Sequence, residues 1–167
     1  MGGFAKKIEV VANVAIVVVA LFLGLILLQM FVLSPRGGGP SEIEAGTKVS
    51  VEQVDWQKSK KTLVLALAVG CRFCSESAPF YQQLIKETRA RTDVQLIAVL
   101  PQEVSEGRKY LDSLNVPLKE VRQQPLGSLN VVGTPTLILV NDKGEVTDSW
   151  IGKLPADQEA EILAQLR

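Results

Sequence analysis

Residues 10–33, "VVANVAIVVVALFLGLILLQMFVL", carry no charged side chain. At about 1.5 Å per residue, a helix of that length reaches roughly 36 Å, more than a hydrocarbon core of about 30 Å. Its polar residues, Asn13 and Gln29, sit toward the two ends, where they can reach the interface. A helix buried in a soluble core seldom stays apolar on every face for so long. The run predicts a single transmembrane anchor at 10–33 behind a short N-terminus at 1–9. A cleaved signal peptide is the rival reading. Against it, the run exceeds the usual apolar region of about 7–15 residues, and "MFVLSPRGG" offers no small-x-small cleavage site. Lys6 and Lys7 precede the run while Arg36 alone follows closely, which places the N-terminus in the cytoplasm. The expected location is the cytoplasmic membrane, with the rest of the chain in the periplasm or its extracytoplasmic equivalent. A dithiol there can persist oxidised or be cycled.

"SPRGGGPSE" is a Gly/Pro-rich stretch that should not fold alone, and 34–45 reads as a flexible linker. Residues 46–167 then alternate strand and helix patterns. "KVSVEQV" (48–54) has period-two apolar spacing and predicts a strand. "TLVLALAV" (62–69) and "VQLIAVL" (94–100) are continuous apolar runs of strand length, suited to a buried sheet. "CSESAPFYQQLIKETRAR" (74–91) predicts an amphipathic helix, and 103–114 a second one. "PLKEV" predicts a short strand and "PLGSL" a single helical turn. "TLILV" and "EVTDSWI" flank "NDKG", a hairpin signal, before a last helix that Pro155 opens. The order β-β-α-β-α-β-(α)-β-β-α implies an α/β sheet covered by helices on both faces.

The chain has no histidine, which removes the usual general base and the commonest metal ligand. Its formal net charge of +0 makes no electrostatic case for nucleic acid. Both cysteines fall in "VGCRFCSESAPF", as a Cys-x-x-Cys pair between a predicted buried strand and a predicted helix. At a helix start, unpaired N–H groups and the helix dipole favour a thiolate, whose pKa can fall from about 8.5 by one or more units. Cys71 is thus the candidate nucleophile and Cys74, one turn in, the resolving thiol. Arg72 adds positive charge beside the nucleophile, and Phe73 an apolar flank for a substrate chain. A metal site would want about four ligands, and only two cysteines are present. A purely structural bond closing so small a loop would constrain little. No metal or other cofactor is expected beyond the redox-active pair.

With these residues in view, the chain resembles the thioredoxin fold, in particular the membrane-anchored thioredoxin-like proteins of the TlpA/ResA type. "VLALAVGCRFC", Pro79 five residues after Cys74, and "VVGTPTLILVNDKGEV" carry the resemblance. It implies that Pro79 kinks the active-site helix. It also implies that the Thr134–Pro135 bond is cis and packs against the dithiol, with the Thr134 backbone free to pair with a substrate strand. Two positions depart from the family. Gly70 stands where an aromatic residue is common, and Leu65 where many thioredoxins carry a buried acid. Glu76 is one substitute for that acid, though an exposed helical glutamate is the plainer reading of it.

The resemblance implies an anchored thiol–disulfide oxidoreductase acting on protein thiols and disulfides, more reductive than oxidative, with a membrane electron-transfer partner as an open option. Two other classes compete. One is a binding or assembly module with a permanent disulfide. The other is a peroxiredoxin-like peroxidase, although Val64 and Ala68 occupy the places of its usual proline and threonine.

Overall fold

The computed structural model of the chain describes residues 15–24 and 43–167, which belong to two units. In the first, residues 15–24 are helical with exposed side chains. The rest of the expected anchor and most of the expected linker lie outside the described residues. Among the described residues, no helix is long and apolar enough to cross a membrane.

The second unit is built on a mixed five-stranded sheet of order β3–β2–β1–β4–β5. Its strands are β1 (Lys61–Ala66), β2 (Val94–Leu100), β3 (Glu120–Gln123), β4 (Thr136–Asn141) and β5 (Val146–Ile151). β1 lies at the centre, parallel to β2 with Leu63 beside Leu96, and antiparallel to β4 with Ala66 beside Thr136. The apolar run of β1 is continuous because both of its faces are covered. Leu63 and Leu65 enter one core, Val64 and Ala66 the other, and none is more than 1 % exposed.

Four α-helices accompany the sheet: α1 (Arg72–Glu76), α2 (Ala78–Thr88), α3 (Val104–Ser113) and α4 (Ala156–Leu166). α2, α3 and α4 feed the first core, through Phe80, Tyr81 and Leu84, through Leu111, and through Ile162, Leu163 and Leu166. The helices flanking the sheet are therefore unequal on its two faces. The second face is covered by single 3-10 turns, Trp56–Lys58 and Leu126–Leu129, and by the segment from Ile43 to Val54.

That segment corrects the strand expected at 48–54. It makes one isolated bridge, Lys48 with Glu145, and Gln53 turns the chain with φ +59. Val49 and Val51 are nevertheless buried, so the period-two spacing marks a face that packs, without a ladder beside it. Ile43 is bound twice to one hydroxyl. Its N–H donates to Ser149 Oγ at 2.9 Å, and that hydroxyl donates to the Ile43 carbonyl at 3.2 Å. Packed chain thus extends at least three residues ahead of position 46. At the hairpin, Asn141 Oδ1 accepts from Lys143 N–H and Glu145 N–H. Gly144 follows at φ +77, where an added Cβ would lie 3.0 Å from the Trp56 ring. Both the backbone angle and the close approach require glycine there.

Candidate active site

β1 ends at Ala66 and releases a short loop that reaches Cys71, the N-cap of α1. The first turn is fastened by sulfur, since Cys71 Sγ accepts from Cys74 N–H at 3.1 Å. A sulfur held on an N-terminal amide is stabilised as the thiolate, because the orphan donors of a helix start face it. The two cysteines are joined as a disulfide, with Cα atoms 5.2 Å apart. Their exposure differs sharply. Cys71 is half-buried at the surface, whereas Cys74 is 0 % exposed and sits in the first core.

The helix expected over 74–91 is two helices. α1 ends and α2 begins at Ser77, and Pro79 occupies the first turn of α2. Proline has no N–H to offer the preceding turn, and at a helix start none is missed. Pro79 is exposed, and its place in the first turn fits the break that comes two residues before it.

From the neighbouring strand, the loop ahead of β4 meets the dithiol. The Thr134–Pro135 bond is cis, and the Thr134 carbonyl lies 3.4 Å from Cys71 Sγ. Pro135 itself is buried and Thr134 half-buried. Among the described residues beyond 16–23, the exposed large hydrophobics are Phe73 at 52 % and Val132 at 73 %. Phe73 stands between the cysteines and Val132 on the loop that carries Thr134, so both lie on segments that adjoin the nucleophile. The sequence reading did not single out Val132, because a valine before a glycine carries no signal until the loop is placed.

Charge near the pair is arranged around Glu76. Arg72 Nε is 2.8 Å from one of its carboxylate oxygens and Lys153 Nζ 3.1 Å from the other. These hydrogen bonds, Arg72's first, hold the Glu76 carboxyl below the usual range. A carboxylate kept ionised in this way is a poor proton acceptor, so Glu76 does not replace the missing acid. Leu65 is 1 % exposed within the first core and offers nothing to titrate. Tyr81, in the same core, has its phenol pushed far up by burial and stays protonated.

Gly70 has φ +79, a left-handed backbone angle that an aromatic residue rarely adopts. An added Cβ there would meet nothing within 4 Å. At this position the backbone angle, and not lack of room, is what disfavours a side chain. Two further residues at the site went unrecognised in the sequence. Gln102 Oε1 accepts from Val69 N–H at 3.3 Å, and the Tyr110 hydroxyl donates to the Cys71 carbonyl at 3.3 Å. Neither type is diagnostic, and both lie some thirty or more residues along the chain. Among the described residues, no cluster of His, Cys, Asp or Glu is placed to hold a metal ion.

No family model matches the chain, and no curated protein matches it. Solved structures do. The thioredoxin domain of a thiol-disulfide oxidoreductase from Bacteroides vulgatus aligns with a TM-score of 0.58 at 17 % identity, over 74 % of this chain and 98 % of that one. A thiol:disulfide interchange protein from Bacteroides sp. aligns at 0.54 with 18 % identity, over 75 % and 88 % of the two chains. The exposed lipoprotein thioredoxin of Streptococcus pneumoniae aligns at 0.52 with 21 % identity, over 65 % and 87 %. These similar structures are thioredoxins and thiol-disulfide proteins, and the likeness establishes that residues 43–167 adopt a thioredoxin-like α/β fold with a Cys-x-x-Cys pair at its helix start.

Proposed function

We propose that the protein is a membrane-anchored thiol–disulfide oxidoreductase that reduces disulfides of other proteins outside the cytoplasm. One observation carries the reading: a half-exposed Cys71 on the N-cap amide of α1, with its partner Cys74 wholly buried behind it. Cys71 thiolate attacks one sulfur of a substrate disulfide, forms a mixed disulfide and expels the other sulfur as a thiolate. Cys74, as its thiolate, then attacks Cys71 Sγ and releases the second substrate thiolate. Two electrons pass to the substrate, which takes up two protons, and the Cys71–Cys74 disulfide remains. A dithiol donor must reduce it again, and a membrane electron-transfer partner would supply that step.

Phe73 and Val132 favour a protein substrate, because a small disulfide has no use for two exposed apolar side chains on the segments that adjoin the nucleophile. Arg72 is part of the same surface, and the backbone of Thr134 at Pro135 is available to an extended chain. The anchor rests on the uncharged run at 10–33, and the location on that run together with the exposed lipoprotein among the similar structures. The reductive direction rests on the likeness to TlpA/ResA-type proteins.

The test is a Cys74→Ser variant of the full chain in cells. Removing the resolving thiol is expected to trap mixed disulfides between Cys71 and substrate proteins, released by dithiothreitol and absent from Cys71→Ser. A variant that traps nothing while the wild type still supports the pathway would show a permanent, structural disulfide instead. A reduction potential near about −120 mV would sink the reductive direction.

A further inference from the structure

The loop that delivers the nucleophile has little of its own to hold it. Gly70 sits at φ +79 with open space where a side chain would be. One internal bond closes the loop, from Cys71 N–H to the Ala68 carbonyl at 3.2 Å. Ser75 N–H of α1 donates to the Cys71 carbonyl at 3.1 Å, and the Thr134 carbonyl meets Cys71 Sγ at 3.4 Å. Two further fastenings come from the segment that follows β2. Gln102 Oε1 accepts from Val69 N–H at 3.3 Å. Tyr110, on α3, donates its hydroxyl to the Cys71 carbonyl at 3.3 Å. Ser75 Oγ converges on the same carbonyl from within α1, also at 3.3 Å, and lies 3.2 Å from the Tyr110 hydroxyl.

The platform behind these two residues is firm. At Gly107 an added Cβ would lie 3.3 Å from Leu100 Cδ1 and 3.5 Å from Val121 Cγ1, so α3 lies close against β2 and β3. Two bonds, one before the glycine and one after it, restrain this loop. That restraint bears on the chemistry. Cys71 is favoured as a thiolate only while its sulfur stays on the Cys74 amide, 3.1 Å away.

We infer that Gln102 and Tyr110 are positioning residues for the dithiol, holding the loop 69–71 so that Cys71 Sγ stays on the helix N-terminus. The inference rests on the dithiol reading proposed above. It gives the excursion between β2 and β3 a role at the dithiol, some thirty or more residues along the chain.

The experiment titrates Cys71 in the reduced full-length protein by its rate of iodoacetamide alkylation across pH, for wild type, Tyr110→Phe and Gln102→Met. Phenylalanine keeps the ring and loses only the hydroxyl, so this variant is expected to keep the wild-type far-ultraviolet circular dichroism. Each substitution is expected to move the midpoint up by about half a unit and to slow attack on a small disulfide at pH 7, by at most about 3-fold. A residue with a merely structural role would leave that midpoint in place. If both variants superimpose on a wild type whose midpoint is depressed, the positioning role is overturned and the dithiol reading stands. If the wild type itself titrates as an ordinary thiol near about 8.5 and the Cys74→Ser trap is empty, both fall.

Discussion

Glu76 pairs with two cations at once, and its removal frees both Lys153 and Arg72, the residue next to the nucleophile in the chain. Glu76→Gln is expected to lower the pKa of Cys71 and to raise its reaction rate at neutral pH about 2-fold at low salt, since an uncompensated positive charge favours the thiolate. Arg72 is largely exposed, so about 0.5 M salt should erase most of the gain. Stopped-flow reaction with a small disulfide at two ionic strengths checks both parts. The same pairing sets a pH dependence with a definite sign. Glu76 titrates lower in the folded chain than in the unfolded one, so its contribution to stability is present at neutral pH. It is lost as pH falls below the ordinary glutamate range and through the depressed value. Acid unfolding of Glu76→Gln against wild type should therefore differ least at the acid end, where the wild-type side chain is protonated as well.

At the level of elements, α3 depends on Gly107 for its approach to the sheet. Alanine there gains helix propensity of about 1 kcal/mol and meets Leu100 closely, so the two effects nearly cancel. Valine adds bulk that the packed strands cannot accept, and Gly107→Val is expected to cost about 1–3 kcal/mol in urea unfolding. β2 was legible from its first residue to its last, because an unbroken apolar run of strand length is what a strand with two covered faces requires. The hairpin was legible for a chemical reason, since the Asn141 side chain and Gly144 make that turn and few others. Segment 48–54 misled, because alternation reports a face that packs and says nothing about a neighbouring strand. The division of 74–91 into α1 and α2 was half visible: Pro79 announced a disturbance, but only the fold places the break at Ser77. At the site, the cysteine pair and the Thr134–Pro135 loop could be read from residue types at fixed spacing. Gln102, Tyr110 and Val132 could not, since their roles come from tertiary placement alone.

On the scale of the whole second unit, segment 43–54 acts as a strap over one face of the sheet, tied at Ile43 by Ser149 and at Glu52 and Ser50 by Gln124. A variant beginning at residue 46 loses the buried Ile43 side chain and leaves the Ser149 hydroxyl without its partner. It is expected to unfold about 2–4 kcal/mol more easily than one beginning at residue 39, a difference that thermal melts of the two would resolve. The central pairing of β1 with β4 has a consequence of another kind. Ala66 finds Thr136 only after some seventy residues of intervening chain have been made, and loop closure of that span is slow to be rewarded. During synthesis, both thiols leave the ribosome well before the loop that will shield them from the other side. For that interval the newborn chain carries two reactive sulfurs with no Thr134 carbonyl beside them. The order in which β1 and β4 are made thus sets a window in which the dithiol is open to any oxidant at hand, and it closes when the sheet does.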